Sequence, residues 1–246
     1  MKIAACSLFR DSQEWYAKKI NQVDRFFKQL EQEKCITSYH LVEGNSIDNT
    51  YQSIMNWSNH TNTKVELIKH DVVGSEVASV VSVNRFKNLS TIGNLALESA
   101  KKVDADFIFW IESDFIFEQG LISNLLKFSE YNEELWQNSL GVCPVPRFGN
   151  SFYDTWAFKG INGETWSNND LEKFKKYPLT YLELSSFGSC ALMNAKKIKE
   201  YNLSFGVDGC FPELCRQAKS FGLKLFCDTT QIIEHPSSDM LGGRLV

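Results

Sequence analysis

The twelve residues from Asp106 to Phe117, DFIFWIESDFIF, constrain the fold more than any other stretch. An unbroken apolar run, Phe107 to Ile111, leads straight into Glu112 and Asp114 and then returns to apolar residues. So short and aromatic a run reads as a strand buried on both faces. Carboxylates at its end gain nothing from packing, because an unpaired buried charge is costly. A pair facing a crevice at the carboxyl end of a parallel sheet accounts for them, since open α/β folds bind ligands there. Two acids one residue apart suit a hard divalent cation that also holds phosphate oxygens. That chemistry points to a nucleotide-diphosphate substrate. The plainer alternative is a strand-end turn whose acids are solvated.

The first half alternates strands with helices. Strands are expected over Lys2–Phe9, Ile36–Val42, Val65–Ile68 and Phe107–Ile111. A helix over Asp11–Glu33 carries Tyr16, Ile20, Val23, Phe27 and Leu30 at helical spacing. A second helix starts near Ser46 or Asp48, a third covers about Asn88–Lys102, and a fourth carries Leu121, Ile122, Leu125 and Leu126. This rhythm predicts an α/β fold with a mostly parallel sheet, right-handed crossovers and flanking helices. The second half is less regular. Strands are expected at Leu140–Val145, Cys190–Met193, Lys224–Cys227 and Ile232–Glu234, with a helix over Pro212–Phe221. Residues 147–170 read as one long, aromatic-rich loop, and loops of that length are usually functional. With no linker or repeat, the 246 residues are expected to form one domain, a nucleotide-binding half (1–115) and an acceptor and catalytic half (116–246).

Composition excludes several classes. The net charge is −4, and basic residues run no longer than pairs, which disfavours an extended nucleic-acid footprint. No apolar stretch approaches the roughly 18 residues of a membrane span. Met1–Arg10 reads as a first strand, not as a signal-peptide core. The seven cysteines include no Cys-x-x-Cys pair and read as reduced, mostly buried thiols, so a cytoplasmic protein is expected.

Five blocks, in order along nearly the whole chain, resemble the nucleotide-sugar glycosyltransferases of the GT-A fold. Within them the chain looks most like the fungal capsule and cell-wall mannosyltransferase type. The blocks are Tyr39–Thr50, Arg85–Asn94, Glu112–Asp114 in the place of the D-x-D motif, Phe152–Phe158, and Phe211–Gly222 followed by Glu234-His235-Pro236. Two departures stand out: Gly93 occupies a place where Arg is usual, and Glu112 replaces the first Asp.

The resemblance implies a single GT-A, Rossmann-like domain that transfers a hexose or pentose to a hydroxyl acceptor. Mn²⁺ or Mg²⁺ would be the cofactor, held by Asp114 and His235, with Glu112 binding directly or through water. Leu8, Glu43, Asn45, Asp48, Asp71, Arg85, Asn94, Glu112 and Ser113 would bind the nucleotide-sugar. Tyr153, Asp154, Trp156 and Ser189 would line the sugar or acceptor. Glu213 would be the catalytic acid or base, with Asp208 as the alternative. Each has a plainer reading. Ser46 and Asp48 suit helix capping, Glu213 suits the first turn of a helix after Pro212, Arg85 suits the surface, and the aromatics suit loop packing.

The partners implied are a nucleotide-diphosphate sugar and a glycan, or a modified base in viral DNA. A non-catalytic carbohydrate-binding relative is the alternative. A sugar-phosphate nucleotidyltransferase is disfavoured, because Ser7 to Ser12 holds no Gly-rich phosphate loop.

Overall fold

The computed structural model describes residues 1–13, 21–71, 82–153, 157–167, 180–207 and 210–235. Strands β1 (Ile3–Phe9), β2 (Ile36–Glu43), β3 (Lys64–Lys69) and β4 (Phe107–Ile111) alternate with helices α1 (Gln22–Gln32), α2 (Thr50–Ser58) and α3 (Val83–Lys101). Then follow β5 (Ile116–Phe117), α4 (Leu121–Tyr131), α5 (Glu133–Gln137), β6 (Ser139–Phe148), β7 (Ser151–Phe152) and β8 (Lys159–Gly160). The chain continues through β9 (Tyr181–Ser186), β10 (Cys190–Asn194), α6 (Ala195–Glu200), α7 (Cys210–Ser220) and β11 (Lys224–His235).

The eleven strands among the described residues join one sheet, ordered β3-β2-β1-β4-β10-β6-β11-β9-β8, with β5 and β7 on side branches. β1 to β4 are mutually parallel, β10 runs against both β4 and β6, and β11 runs with β6. The expected mostly parallel α/β sheet is therefore present, with β10 reversed at its centre. Expected halves 1–115 and 116–246 share this sheet, since β4 and β10 pair along Phe107–Ile111.

Burial on both faces explains the apolar strands. In β4, Ile108 and Trp110 enter one cluster with α3 and α7, while Phe107, Phe109 and Ile111 enter the other with α1 and α4. Alternation across a strand sends neighbours to opposite faces. Gly93 lies where α3 meets this core. A Cβ there would stand 2.9 Å from the Phe205 ring, which explains why no larger residue occupies that place.

Several local expectations need correction. The described part of α1 starts at Gln22, where Asn21 accepts from the Val23 and Asp24 N–H groups; residues 11–13 are not helical and 14–20 lie outside the description. Helix α3 begins at Val83 rather than Asn88, because Ser82 caps it by accepting from the Arg85 N–H at 3.1 Å. The two strands expected at 224–227 and 232–234 are one strand, β11, with a register shift between Asp228 and Ile232. Asp228 produces it locally: its Oδ1 accepts from the Thr230 N–H and Oγ1, an Asx-type turn that makes a bulge. The expected loop over 147–170 holds the end of β6 together with β7 and β8.

Helix α4 has Gly120 at its N-cap, with no side chain to accept its first N–H groups. Buried Glu33 supplies the acceptor from the loop after α1, taking Gly120 N–H at 2.5 Å and Ile122 N–H at 3.2 Å. Burial raises the Glu33 carboxyl pKa, against the opposing pull of those backbone groups.

Candidate active site

The carboxyl ends of β1, β2, β3, β4, β6 and β11 form one edge, as their parallel pairing requires. Every implied acid in the described residues except Glu213 lies in or just beyond a strand ending on this edge. Glu213 stands in the first turn of α7.

Asp114 and His235 come together because of β5. Ile116 and Phe117 pair antiparallel with Glu234 and Ile233, which folds the chain after Asp114 across the end of β11. His235 Nε2 then lies 3.2 Å from Asp114 Oδ2. His235 is 9% exposed, and its imidazole sits among aromatic rings. Tyr153 stacks on it at 4.4 Å and 13°, Phe115 meets it edge-on at 5.5 Å, and Phe148 lies at 5.9 Å. Tyr153 thus packs on the implied metal ligand.

Glu112 lies on the other side of this turn. Its N–H donates to the Ser189 carbonyl at 2.8 Å, and Ser189 is held in the left-handed region at φ 42°. Glu112 raises the buried Cys210 thiol pKa and Arg85 lowers it, though burial is the larger cause. Glu112 and Arg85 are therefore each within electrostatic reach of Cys210 at the start of α7. Ser113 is buried and accepts from Gln22 Nε2 at 3.2 Å.

At the other end of the edge the loops after β1 and β2 are sewn together. Asp11 accepts from the Ile47 N–H at 2.7 Å, and Asp48 accepts from the Gln13 N–H and the Thr50 N–H, both at 2.9 Å. The Asp11 N–H donates to Ser46 Oγ at 2.9 Å. Glu43 is wholly buried. Its Oε1 accepts from the Ser46 N–H at 2.5 Å, and its Oε2 has no hydrogen-bond partner among the described residues. Asn45 adopts a left-handed φ of 46°, Leu8 packs against the core, and Asp71 is exposed just past β3.

Two implied residues are committed elsewhere. Asn94 donates to the Phe205 carbonyl at 2.9 Å and accepts from its N–H at 2.8 Å, so its amide fastens a loop. Glu213 is paired on its own helix with Arg216 and takes Gln217 Nε2 at 3.4 Å. Asp154, Trp156 and Asp208 lie outside the described residues.

Sequence reasoning missed the side chains of α1 that grip the acid turn, above all Arg25. Its Nη2 donates to the Ser113 carbonyl at 2.9 Å and its Nη1 to the Phe115 carbonyl at 2.7 Å. The readable signal was polar residues Gln22, Arg25 and Gln29 at helical spacing beside an apolar stripe.

The fold matches known structures. The chain is similar to TarS from S. aureus, a GT-A-type glycosyltransferase. Against residues 1–349 of TarS in complex with UDP-GlcNAc the TM-score is 0.60 at 12% identity, covering 100% of this chain and 62% of that one. A second TarS structure gives a TM-score of 0.61 at 12% identity, covering 97% and 37% of the respective chains. The chain therefore spans less than two thirds of the length of these neighbours. At such identity the likeness establishes the GT-A fold, and it does not extend to the fungal mannosyltransferase type. No protein family and no curated protein matches the sequence. No helix among the described residues is long and apolar enough to cross a membrane.

Proposed function

We propose that the chain is a metal-dependent glycosyltransferase that moves a hexose or pentose from a nucleotide-diphosphate sugar to a hydroxyl acceptor. The observation that carries this reading is the Asp114–His235 pair, brought together at the carboxyl edge of a GT-A sheet. The UDP-GlcNAc bound to TarS supports a nucleotide-sugar as the donor class.

The donor set fits Mn²⁺ or Mg²⁺. No group of three or more metal-binding side chains gathers among the described residues. One carboxylate and one imidazole leave most coordination positions to phosphate oxygens and water. That is how such cations are commonly held at nucleotide sites, rather than in an all-protein cage. When bound, the metal would neutralise the departing diphosphate as a Lewis acid.

The chain's own residues do the rest. Asp114 and His235 Nε2 would hold the metal, and the rings of Phe115, Phe148 and Tyr153 fix the imidazole and limit water. Buried Glu43, with one oxygen free of described partners, is suited to accept from a nucleoside hydroxyl or N–H. Arg85 would face the diphosphate beside Glu112. Glu213 would take the acceptor proton if released from Arg216; Asp208 is the alternative base. The acceptor is a glycan or another hydroxyl, a modified DNA base included, and the expected setting is cytoplasmic.

Thermal shift with UDP-GlcNAc and GDP-mannose, each with and without Mn²⁺, tests the reading. A donor at 100 times its Kd should stabilise the fold by about 2.7 kcal/mol. Stabilisation by neither sugar in Mn²⁺ would count against these donors. Binding without transfer or donor hydrolysis would favour a non-catalytic carbohydrate-binding protein.

A further inference from the structure

We propose that Arg25 is a positioning residue for Asp114. The inference deepens the metal-site reading above and rests on it. Helix α1 docks on the sheet through Val23, Phe26, Phe27 and Leu30. Beside that apolar stripe run Gln22, Arg25 and Gln29, all turned to the segment that follows β4. Gln22 Nε2 donates to Ser113 Oγ at 3.2 Å, and Gln29 Nε2 donates to the Phe117 carbonyl at 2.7 Å. Between them the Arg25 guanidinium takes the Ser113 carbonyl at 2.9 Å and the Phe115 carbonyl at 2.7 Å. It also bonds Gln29 Oε1, which steadies the fork.

The two carbonyls Arg25 holds are those of the residues on either side of Asp114. The Ser113 carbonyl belongs to the peptide unit that enters Asp114, and the Phe115 carbonyl to the unit one residue beyond, so holding both brackets the Asp114 backbone and sets where its carboxylate stands against His235. A planar guanidinium offers two donors in fixed relation, whereas a lysine ammonium is a point charge on a flexible stem. The helix does not need this arrangement to dock. Ordering a long polar side chain costs up to about 2 kcal/mol of rotamer freedom, without the apolar burial that docks the helix. What the contact supplies is placement, and groups supporting a ligand from behind typically contribute about 10–100-fold in metal affinity.

The test is Mn²⁺ binding followed by electron paramagnetic resonance with UDP or GDP present, together with thermal unfolding of each variant. The variants are Arg25→Met, Arg25→Lys and Gln29→Glu. Gln29→Glu keeps the oxygen that Arg25 bonds and removes the donor to the Phe117 carbonyl, beyond the acid. It should lower the melting temperature and change Mn²⁺ affinity by less than about twofold. Arg25→Met should weaken Mn²⁺ binding about 10–100-fold in chains that remain folded, and Arg25→Lys should fall between it and wild type. Wild-type Mn²⁺ affinity in folded Arg25→Met overturns the inference. If that variant does not fold, unchanged affinity in Arg25→Lys overturns it instead. A wild-type chain that binds no Mn²⁺ with either nucleotide overturns the metal reading, and the inference with it, which separates the two failures.

Discussion

In the loops after β1 and β2, the carboxylates of Asp11 and Asp48 accept backbone N–H groups and hold two loops together. In the turn after β4, Asp114 faces an imidazole inside a ring of aromatic side chains. Both regions bring acids to the same edge of the sheet. The difference lies in what surrounds them. Tight loops with left-handed residues, such as Asp11 and Asn45, leave N–H groups outside the ladder, and a nearby carboxylate satisfies them. In the turn after β4 main-chain carbonyls take N–H groups instead, Glu112 N–H going to Ser189 and Phe115 N–H to Glu112, while Arg25 of α1 donates to the turn's own carbonyls. An acid at a strand end is thus a stronger candidate ligand where main-chain groups and neighbouring side chains serve the local backbone.

The largest expected effect comes from the turn. Asp114→Asn keeps the shape and removes the charge. If the acid holds a metal, transfer should fall by about 10³-fold, the equivalent of about 4 kcal/mol of lost charge stabilisation. The melting temperature should stay near wild type, since the Asp114 side chain is partly exposed and asparagine keeps its shape. Excess chelator should reproduce the loss with the wild-type chain. Full activity in chelator would make the two regions alike, both of them structural.

Much of the fold was readable because its causes are local. The Phe107–Ile111 run and the alternation of strands with helices depend on neighbours in sequence. The reversal of β10, the single bulged β11 and the pairing of β5 depend on partners 79 to 118 residues away. The same limit governs the site. The strand-end pattern marks Asp114 and the resemblance marks His235, but only the β5–β11 pairing shows that they meet. Asn94 matched a motif just as well, yet it fastens Phe205; no local pattern distinguishes an amide that binds backbone from one that binds a ligand. Arg25 escaped notice because its partners are carbonyls, which carry no sequence signature.

The next prediction concerns the floor beneath the sewn loops. His40 of β2 is 1% exposed, with Ser99 Oγ 2.7 Å from Nδ1 and Ser38 Oγ 3.0 Å from Nε2. Burial, with a smaller push from Lys64, lowers its pKa to about 4. The unfolded chain, with His near 6.5, binds this proton more tightly. The stability from neutral His40 is therefore complete above about pH 6.5 and is lost as pH falls toward about 4, up to about 3 kcal/mol in all. Urea unfolding at pH 7 and pH 5 should show roughly 2 kcal/mol of that loss. In His40→Gln this contribution to the acid loss should vanish. An unchanged pH dependence in the variant would remove His40 as its source.

The smallest effect tests the sewn loops themselves. Asp48 holds the Gln13 N–H at the loop after β1 and the Thr50 N–H at the start of α2, both at 2.9 Å, and takes the Thr50 hydroxyl as well. If this carboxylate is fully employed there, Asp48→Ala should cost about 1–2 kcal/mol of stability, the range for losing a capping acceptor. Donor KM should then change by less than about threefold, well below the tenfold that 1.4 kcal/mol of lost contact would give. Asp48→Asn should recover part of the stability, because its one remaining oxygen can still take an N–H. The opposite outcome is equally readable. A donor KM that rises tenfold or more in Asp48→Asn at near wild-type stability would mean that the carboxylate reaches the nucleotide. The loops after β1 and β2 would then contribute ligand contacts through Asp48, and the contrast with the turn after β4 would rest on Asp11 alone.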